Sequence, residues 1–220
     1  TVPGVRKVAY AGSLRRGQET IGDLDILVTT DDPAAASEAF QNQTGVTKIL
    51  VAGDTKSSVR LEDGIQVDLR VVPAEVWGAA LLYFTGSKDH NVALRERAIG
   101  RGFRLNEYGL FPDDGESGPP QQRGVTAIAA ATEADIYQAL DLPWIPPELR
   151  VDRGEFDLDV PEDLITVEAI RAELHSHTTA SDGRLTIDEL AVAARRAGRT
   201  VLAITDHSRS SPQANGLDEA

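Results

Sequence analysis

Apolar and polar positions alternate most cleanly in IQVDLRVV, residues 65–72, where Ile65, Val67, Leu69 and Val71 share one face and Gln66, Asp68 and Arg70 the other. A period of two predicts a strand with one face in a core. The same reasoning predicts strands over Arg6–Ala11, Asp23–Thr30, Thr47–Ala52 and Ser57–Leu61, with Asp63-Gly64 as the hairpin turn into residues 65–72. Asp32-Pro33 supplies an N-cap and an N1 proline for a helix to about Phe40, and Pro73 opens a helix that ends in YFTGS, residues 83–87. A helix over about Lys88–Ile99 and a strand pair over Phe103–Phe111 follow. Phe111–Gly124, rich in Gly, Pro and Asp, predicts a mobile loop. A helix from Thr132 to Leu140 leads into Asp141–Arg150, an irregular stretch with Pro143, Pro146 and Pro147 around Trp144 and Ile145. Val151–Ile170, acidic and containing Pro161, is expected to be a linker. Beyond it come a strand (Arg171–His177), a helix opened by the capping box of Thr186 and Glu189, and a second strand (Thr200–Thr205). Strand, helix, strand predicts a right-handed parallel crossover with both strand ends at one edge.

With 220 residues, 41% of them apolar, the chain can bury the core of one large domain or two small ones. It starts with Thr and contains no Met, which reads as a piece of a longer protein. There is no basic segment followed by a short apolar one, as in a signal peptide, and no apolar run long enough for a membrane span. No Cys means no disulfide framework and no thiolate metal site, so a cytoplasmic protein without membrane partners is the default expectation. A net charge of -13 excludes steering of nucleic acid by whole-molecule charge. That charge is uneven: Phe111–Ile170 carries 3 basic against 14 acidic side chains, which is most of it. Around Gly78–Leu105 the balance reverses, with Lys88, Arg95, Arg97, Arg101 and Arg104 against Asp89 and Glu96. A DNA-contacting face there is compatible with the acidic total.

The candidate chemistry concentrates in GSLRRGQETIGDLD, residues 12–25. Asp23 and Asp25 fall on one face of the predicted strand, while Leu24 and Ile26 point to the other. Two adjacent carboxylates repel unless a cation lies between them, and hard oxygen donors of this kind hold Mg²⁺ in phosphoryl-transfer sites. Upstream, Gly12, Ser13, Arg15, Arg16 and Gly17 offer backbone N–H groups, a hydroxyl and guanidinium forks to an anion such as a nucleotide triphosphate. Taken singly, the first half reads as a solvated loop and the second as turn chemistry. Asp68 has a bland reading too, as a solvated residue on an amphipathic strand. If its strand neighbours that of Asp25, three carboxylates around two Mg²⁺ suit in-line displacement, and one of them can accept the proton of an attacking hydroxyl.

Gly-Ser, a short spacer and Asp-x-Asp on the next strand resemble the palm of the nucleotidyltransferase superfamily. Together with YFTGS, Asn91 eight residues beyond Tyr83, RGFRLNEYGLF (residues 101–111) and ATEADIYQALDLPWIPPELR (residues 131–150), residues 1–150 resemble the family X DNA polymerases, the family of DNA polymerase beta. The resemblance implies an α+β fold: a nucleotidyltransferase palm over residues 1–80, a mixed sheet with flanking helices, and a small α/β thumb over residues 81–150. It implies Mg²⁺ or Mn²⁺ held by Asp23, Asp25 and Asp68. The nucleotide contacts it implies are Gly12, Ser13, Arg16, Gly22, Tyr83, Phe84, Gly86 and Asn91; the DNA contacts are Arg95, Asn106 and Tyr108. The implied partners are deoxynucleoside triphosphates and primer-template or gapped DNA, bound by a monomer. An aromatic pair before a glycine kink suits exclusion of a 2′-hydroxyl, and Asn suits the acceptors that every base pair shows in the minor groove. Another nucleotidyltransferase, template-independent or acting on a small molecule, would account for residues 12–25 but not for YFTGS with Asn91. A non-catalytic DNA-end binding module is the remaining alternative.

Residues 171–220 hold three of the four histidines, and His175 and His177 with His207 across the crossover make good first-row metal chemistry. LHSHTTASDG with AITDHS resembles the opening of a polymerase-and-histidinol-phosphatase (PHP) domain, a metal-dependent phosphoesterase. This implies the first βαβ unit of a PHP-type barrel and part of a metal site at His175, His177, Asp182 and His207, with Asp206 as ligand or support. It also implies Zn²⁺ or Mn²⁺ there, and 3′-5′ exonuclease activity, in a longer protein. The 50 residues supply only part of that site, so no phosphoesterase activity is expected of them.

Overall fold

The computed structural model describes residues 2, 4–158 and 164–218. The chain divides into two compact units, Thr1–Val160 and Pro161–Ala220.

In the first unit, β1 (Val5–Tyr10), β2 (Asp23–Thr30), β3 (Val46–Val51), β4 (Lys56–Leu61) and β5 (Gln66–Val71) form one sheet in the order β1-β2-β5-β4-β3. Only β2 and β5 run parallel; the other neighbours are antiparallel. Between β1 and β2 the basic turn is a single helical turn, α1 (Gly12–Arg15), and α2 (Pro33–Gln41) follows β2. Asp32 caps α2 by accepting from the Ala35 N–H at 3.0 Å, with Pro33 at the first helical position. Asp63 and Gly64 make the turn into β5, Asp63 Oδ1 accepting the Ile65 N–H. The alternation of residues 65–72 is realised with one exception. Val67, Leu69 and Val71 are buried, whereas Ile65 precedes the strand and stays partly exposed.

Each face of this sheet has its own core. Val28, Leu69 and Val71 pack with Ile26 and Phe40 under α2. On the opposite face Ala11 and Leu27 pack against α3 (Trp77–Thr85), through Ala80 with Trp77, Leu81 and Phe84. This helix is apolar nearly all round because it serves two cores. Its other side, Ala79 and Leu82, enters the thumb core with Leu94 and Ala98 of α4 (Lys88–Gly100), Leu110 of the hairpin β6 (Phe103–Asn106) and β7 (Gly109–Pro112), and Ile136 and Tyr137 of α5 (Glu133–Ala139). Pro73 is followed by a short 3₁₀ turn, Ala74–Val76, before α3 begins.

Two expectations about loops change. Residues after β7 are tied down: Arg123 forks onto Asp114 at 2.6 and 2.9 Å, and Arg104 bonds Asp113 and the Glu116 carbonyl. The expected linker does not begin at Val151, because Glu155 and Phe156 are buried against the thumb, Phe156 as part of its core. Pro161, expected within that linker, lies outside the described residues.

In the second unit β8 (Ala172–Ser176) and β9 (Val201–Ile204) pair in parallel with α6 (Ile187–Arg196) between them, the expected βαβ unit. The capping box forms, Thr186 accepting from the Glu189 N–H while Glu189 accepts from Thr186. No residue of α6 or of the two strands is buried, and Ala214 is the one buried apolar residue of this unit among those described.

Candidate active site

The parallel register sets Asp25 directly beside Asp68, with Asp23 beside Gln66. Side chains of register partners leave the same face, so Asp23, Asp25 and Asp68 share the face of the sheet that carries α3. Their donor atoms do not close on one point. Among the described residues, the one trio of His, Cys, Asp or Glu whose donor atoms all lie within 4.8 Å of one another is His177, Asp182 and His207. Asp68 bonds local donors instead: Gln66 Nε2 at 2.9 Å and the Lys56 ammonium at 4.0 Å. Burial raises the Asp25 pKa above the usual carboxylate range, and the charges of Asp23 and Asp68 push it the same way, partly offset by Arg70 and Arg16.

Gly12 is required where it stands. Its φ is +59°, and a Cβ there would collide with Asp25 Oδ2. The absence of a side chain thus brings the basic turn and the carboxylate together. Arg16, its pKa lowered chiefly by burial, donates to the Thr85 carbonyl at the end of α3. Gly86 follows at φ +70°, where a Cβ would lie 3.1 Å from Arg16 Nη1. Basic turn and glycine kink are therefore in contact across 69 residues of sequence.

These elements line one open cleft of about 390 Å³: Gly12, Ser13, Arg16, Asp23 and Asp25 from the palm, and Tyr83, Phe84, Thr85, Gly86, Lys88, Asn91 and Arg95 from the thumb side. Tyr83 and Phe84 meet edge-on with centroids 5.1 Å apart. Asn91 Nδ2 donates to the Tyr83 carbonyl at 2.7 Å, and Arg95 Nε to the Asn91 carbonyl at 3.3 Å. Asn106 shares a smaller concavity with Tyr83, Asn91 and Arg95. Its amide bonds Gln121 at 3.0 Å and accepts from the Tyr108 N–H at 2.8 Å, so the two hairpin residues are joined to each other. Gly22 is exposed at the turn before β2 and does not line the cleft.

Arg15 is not free to grip an anion. Its guanidinium forks onto Glu133 at 2.8 and 2.8 Å and reaches Thr85 Oγ1 at 2.6 Å. Glu133 also accepts from the fully buried Arg150 at 2.7 Å and from Trp144 Nε1 at 3.2 Å. Burial alone would raise the Glu133 pKa, yet the two guanidiniums hold it at about 2. The pair locks palm to thumb beneath the cleft. Sequence reasoning missed Glu133, Arg150 and Thr85 in this role, and separations up to 118 residues left no local signal. It missed Arg70 as well, whose guanidinium lies 4.8 Å from the Phe84 ring centroid. Of the basic cluster, Arg97, Arg101 and Arg104 pair with Asp157, Asp141 and Asp113. Lys88 and Arg95 form no ion pair among the described residues, and both line the cleft.

In the second unit the strand ends bring the histidines together. His175 Nε2 lies 2.9 Å from His177 Nε2, His177 Nδ1 is 2.7 Å from Asp182, and His207 Nε2 is 3.5 Å from the other Asp182 oxygen. Asp206 instead accepts from the Thr178 N–H, the Thr178 hydroxyl and the Ser181 hydroxyl, a support for the loop rather than a donor in the trio.

Comparison with known proteins gives the family. A family model described as DNA polymerase beta palm matches residues 2–83, and one described as DNA polymerase beta thumb matches residues 80–151. The chain is 39% identical over 214 residues to the DNA polymerase/3'-5' exonuclease PolX of Bacillus subtilis (strain 168), covering 96% of this chain and 36% of that protein. It is 29% identical over 174 residues to DNA polymerase lambda of Arabidopsis thaliana, with 68% of this chain and 32% of the relative covered. To DNA polymerase lambda of Rattus norvegicus it is 30% identical over 167 residues, with 67% and 29% covered. The chain spans about a third of the length of the curated relatives it matches. No helix of the described residues is long and apolar enough to cross a membrane. Palm and thumb adjoin in the matches as they do in the fold, and the chain belongs to the family X DNA polymerases, the family of DNA polymerase beta.

Proposed function

We propose that this chain carries the nucleotidyl-transfer site of a DNA polymerase that adds deoxynucleotides to a primer 3′-hydroxyl and releases pyrophosphate, with gap filling in repair as its setting. One observation carries the reading: Ser13 and Arg16, the Asp23–Asp25 pair, and Tyr83 to Gly86 with Asn91 and Arg95 line a single cleft.

Family X polymerases are metal-dependent, and the donor set fits a divalent cation. Three hard carboxylates share one face, and Asp25, its pKa raised first by burial and then by the charges of Asp23 and Asp68, would gain from a cation between them. Asp23, Asp25 and Asp68 would hold it, with Mg²⁺ or Mn²⁺ as the ion. Bound there, it would lower the pKa of the attacking hydroxyl and offset charge on the transferring phosphoryl group. The remaining work belongs to the chain's own groups. Ser13, Arg16 and the α1 backbone bind the triphosphate; Asp68 accepts the proton of the primer hydroxyl. Tyr83 and Phe84 hold the sugar against the chain near Gly86, where a 2′-hydroxyl would clash. Asn91 donates to a minor-groove acceptor once it leaves the Tyr83 carbonyl, and Arg95 meets the template strand, with Asn106 and Tyr108 beyond it. Gly22, at the turn into β2, stands outside the cleft and is given no contact with the nucleotide.

Extension of a gapped primer, with and without Asp25→Ala, tests the reading. Template-directed incorporation by the unaltered chain that disappears in the variant supports it, and untemplated or absent incorporation sinks it. Tyr83→Ala should raise ribonucleotide use relative to deoxynucleotide use; an unchanged ratio would make the aromatic pair ordinary packing.

For the second unit we infer a partial phosphoesterase metal site at His175, His177, Asp182 and His207, suited to Zn²⁺ or Mn²⁺. One curated relative is a polymerase and 3'-5' exonuclease by name, and its alignment takes in 96% of this chain. With no buried apolar residue on the elements that carry the histidines, this unit by itself should bind metal weakly and cleave no 3′ ends. Stoichiometric tight metal with metal-dependent cleavage by the 220-residue chain would overturn that.

A further inference from the structure

The thumb core contains a chain of three polar side chains that none of the steps above uses. Tyr137 Oη lies 2.8 Å from His90 Nε2, and His90 Nδ1 lies 2.7 Å from Glu155 Oε1. All three are buried, His90 and Tyr137 completely. Glu155 also accepts the backbone N–H groups of Asp152 and Arg153, each at 2.8 Å, and the Phe156 ring stacks on the imidazole at 4.7 Å.

Proton positions follow from the partners. Burial lowers the His90 pKa against the opposing pull of Glu155, so the ring is neutral and has one N–H to give. Burial likewise pushes the Tyr137 hydroxyl up, so it stays protonated and donates. Tyr137 O–H therefore donates to Nε2, and Nδ1–H donates to the Glu155 carboxylate.

Apolar replacement of buried polar groups is often neutral for stability, so the distinct contribution of hydrogen bonds such as these is direction. His90 sits in the first turn of α4, where Ser87 caps its N–H at 3.2 Å. The next residue is Asn91 and one turn on is Arg95, both lining the cleft. A helix whose inward side chain is held by two directional bonds cannot rotate about its axis without breaking them.

We propose that Glu155, acting through His90, is a positioning residue for the incoming nucleotide. It fixes the rotation of α4 so that Asn91 faces the base pair, a role that rests on the polymerase reading above. The stretch Asp152–Asp157, which ends the thumb, thereby belongs to the nucleotide site although none of it lines the cleft.

Single-nucleotide insertion into gapped DNA by the full chain tests this, with KM for the nucleotide and kcat measured separately. Glu155→Ala should raise KM roughly tenfold while kcat changes by less than about twofold. Glu155→Gln, which keeps an oxygen for His90 Nδ1–H, should restore most of it. Tyr137→Phe removes a single oxygen and so spares the fold; it should raise KM about threefold. In an Asn91→Ala background, adding Glu155→Ala should change KM little, because the residue it acts through is gone. Unaltered KM in folded Glu155→Ala and in Tyr137→Phe overturns the proposal, as does full additivity with Asn91→Ala. If Glu155→Ala does not fold, Tyr137→Phe decides. Absence of templated extension by the unaltered chain is a different failure: it removes the polymerase reading, and this role with it.

Discussion

The two titratable clusters of this chain differ in how closely their donor atoms gather. The aspartates of the first unit stay apart although β2 and β5 set two of them side by side, whereas His177, Asp182 and His207 of the second unit already gather within 4.8 Å. Carboxylates can only accept, so Asp23, Asp25 and Asp68 have nothing to offer one another but repulsion. Imidazoles donate and accept, and the histidines satisfy each other and Asp182. Support runs the other way. The aspartates stand on a five-stranded sheet with a core on each face; the histidines stand on two strands with no buried residue. The two clusters therefore differ in the frame that carries them, and pre-organisation of the frame is what catalysis needs.

Substitutions can break or sharpen this contrast. The largest effect belongs to Asp25→Ala, which should lower primer extension by about 10³-fold or more, while His177→Ala should leave it within about twofold. Comparable losses from both would show that the two units do not act separately. Next is the ion pair beneath the cleft: Glu133→Ala leaves Arg15 and Arg150 without their shared partner and should cost about 3–5 kcal/mol in denaturant unfolding of the first unit. Asp206→Ala, which removes three hydrogen bonds from the second unit, should leave that transition in place.

Acid should act through the same residue. Glu133 has an ordinary pKa of 4.5 and a folded value of about 2, so its stabilising contribution is complete above 4.5 and is lost as pH falls toward 2. Unfolding of the first unit followed between pH 5 and 2 should steepen over that window, and Glu133→Gln should flatten the curve there. The smallest effect carries the opposite sign. Because folding raises the Asp25 pKa, its ionised form opposes folding at neutral pH; Asp25→Asn should slightly stabilise the metal-free protein. Saturating Mg²⁺ should erase that advantage in thermal unfolding, and an equal or lower midpoint without metal would mean that Asp25 is not strained.

Much of this was legible in the chain itself. Period-two alternation marked the strands, Asp32-Pro33 and Thr186 with Glu189 marked helix starts, and Asp63-Gly64 marked a turn, because each is chemistry between near neighbours. Asp23 and Asp25 on one face followed from the same local period. That Asp68 is the partner of Asp25 did not, since register between strands is set by the turn and core that lie between them. Arg15 and Arg16 look alike as neighbours in sequence, yet one is sealed into an ion pair with Glu133 and the other lines the cleft. Glu155 read as part of an acidic linker and is a buried partner of His90. In each of these cases the outcome depends on which desolvated group meets which partner across scores of residues, and burial, unlike local periodicity, exists only once the tertiary structure has formed.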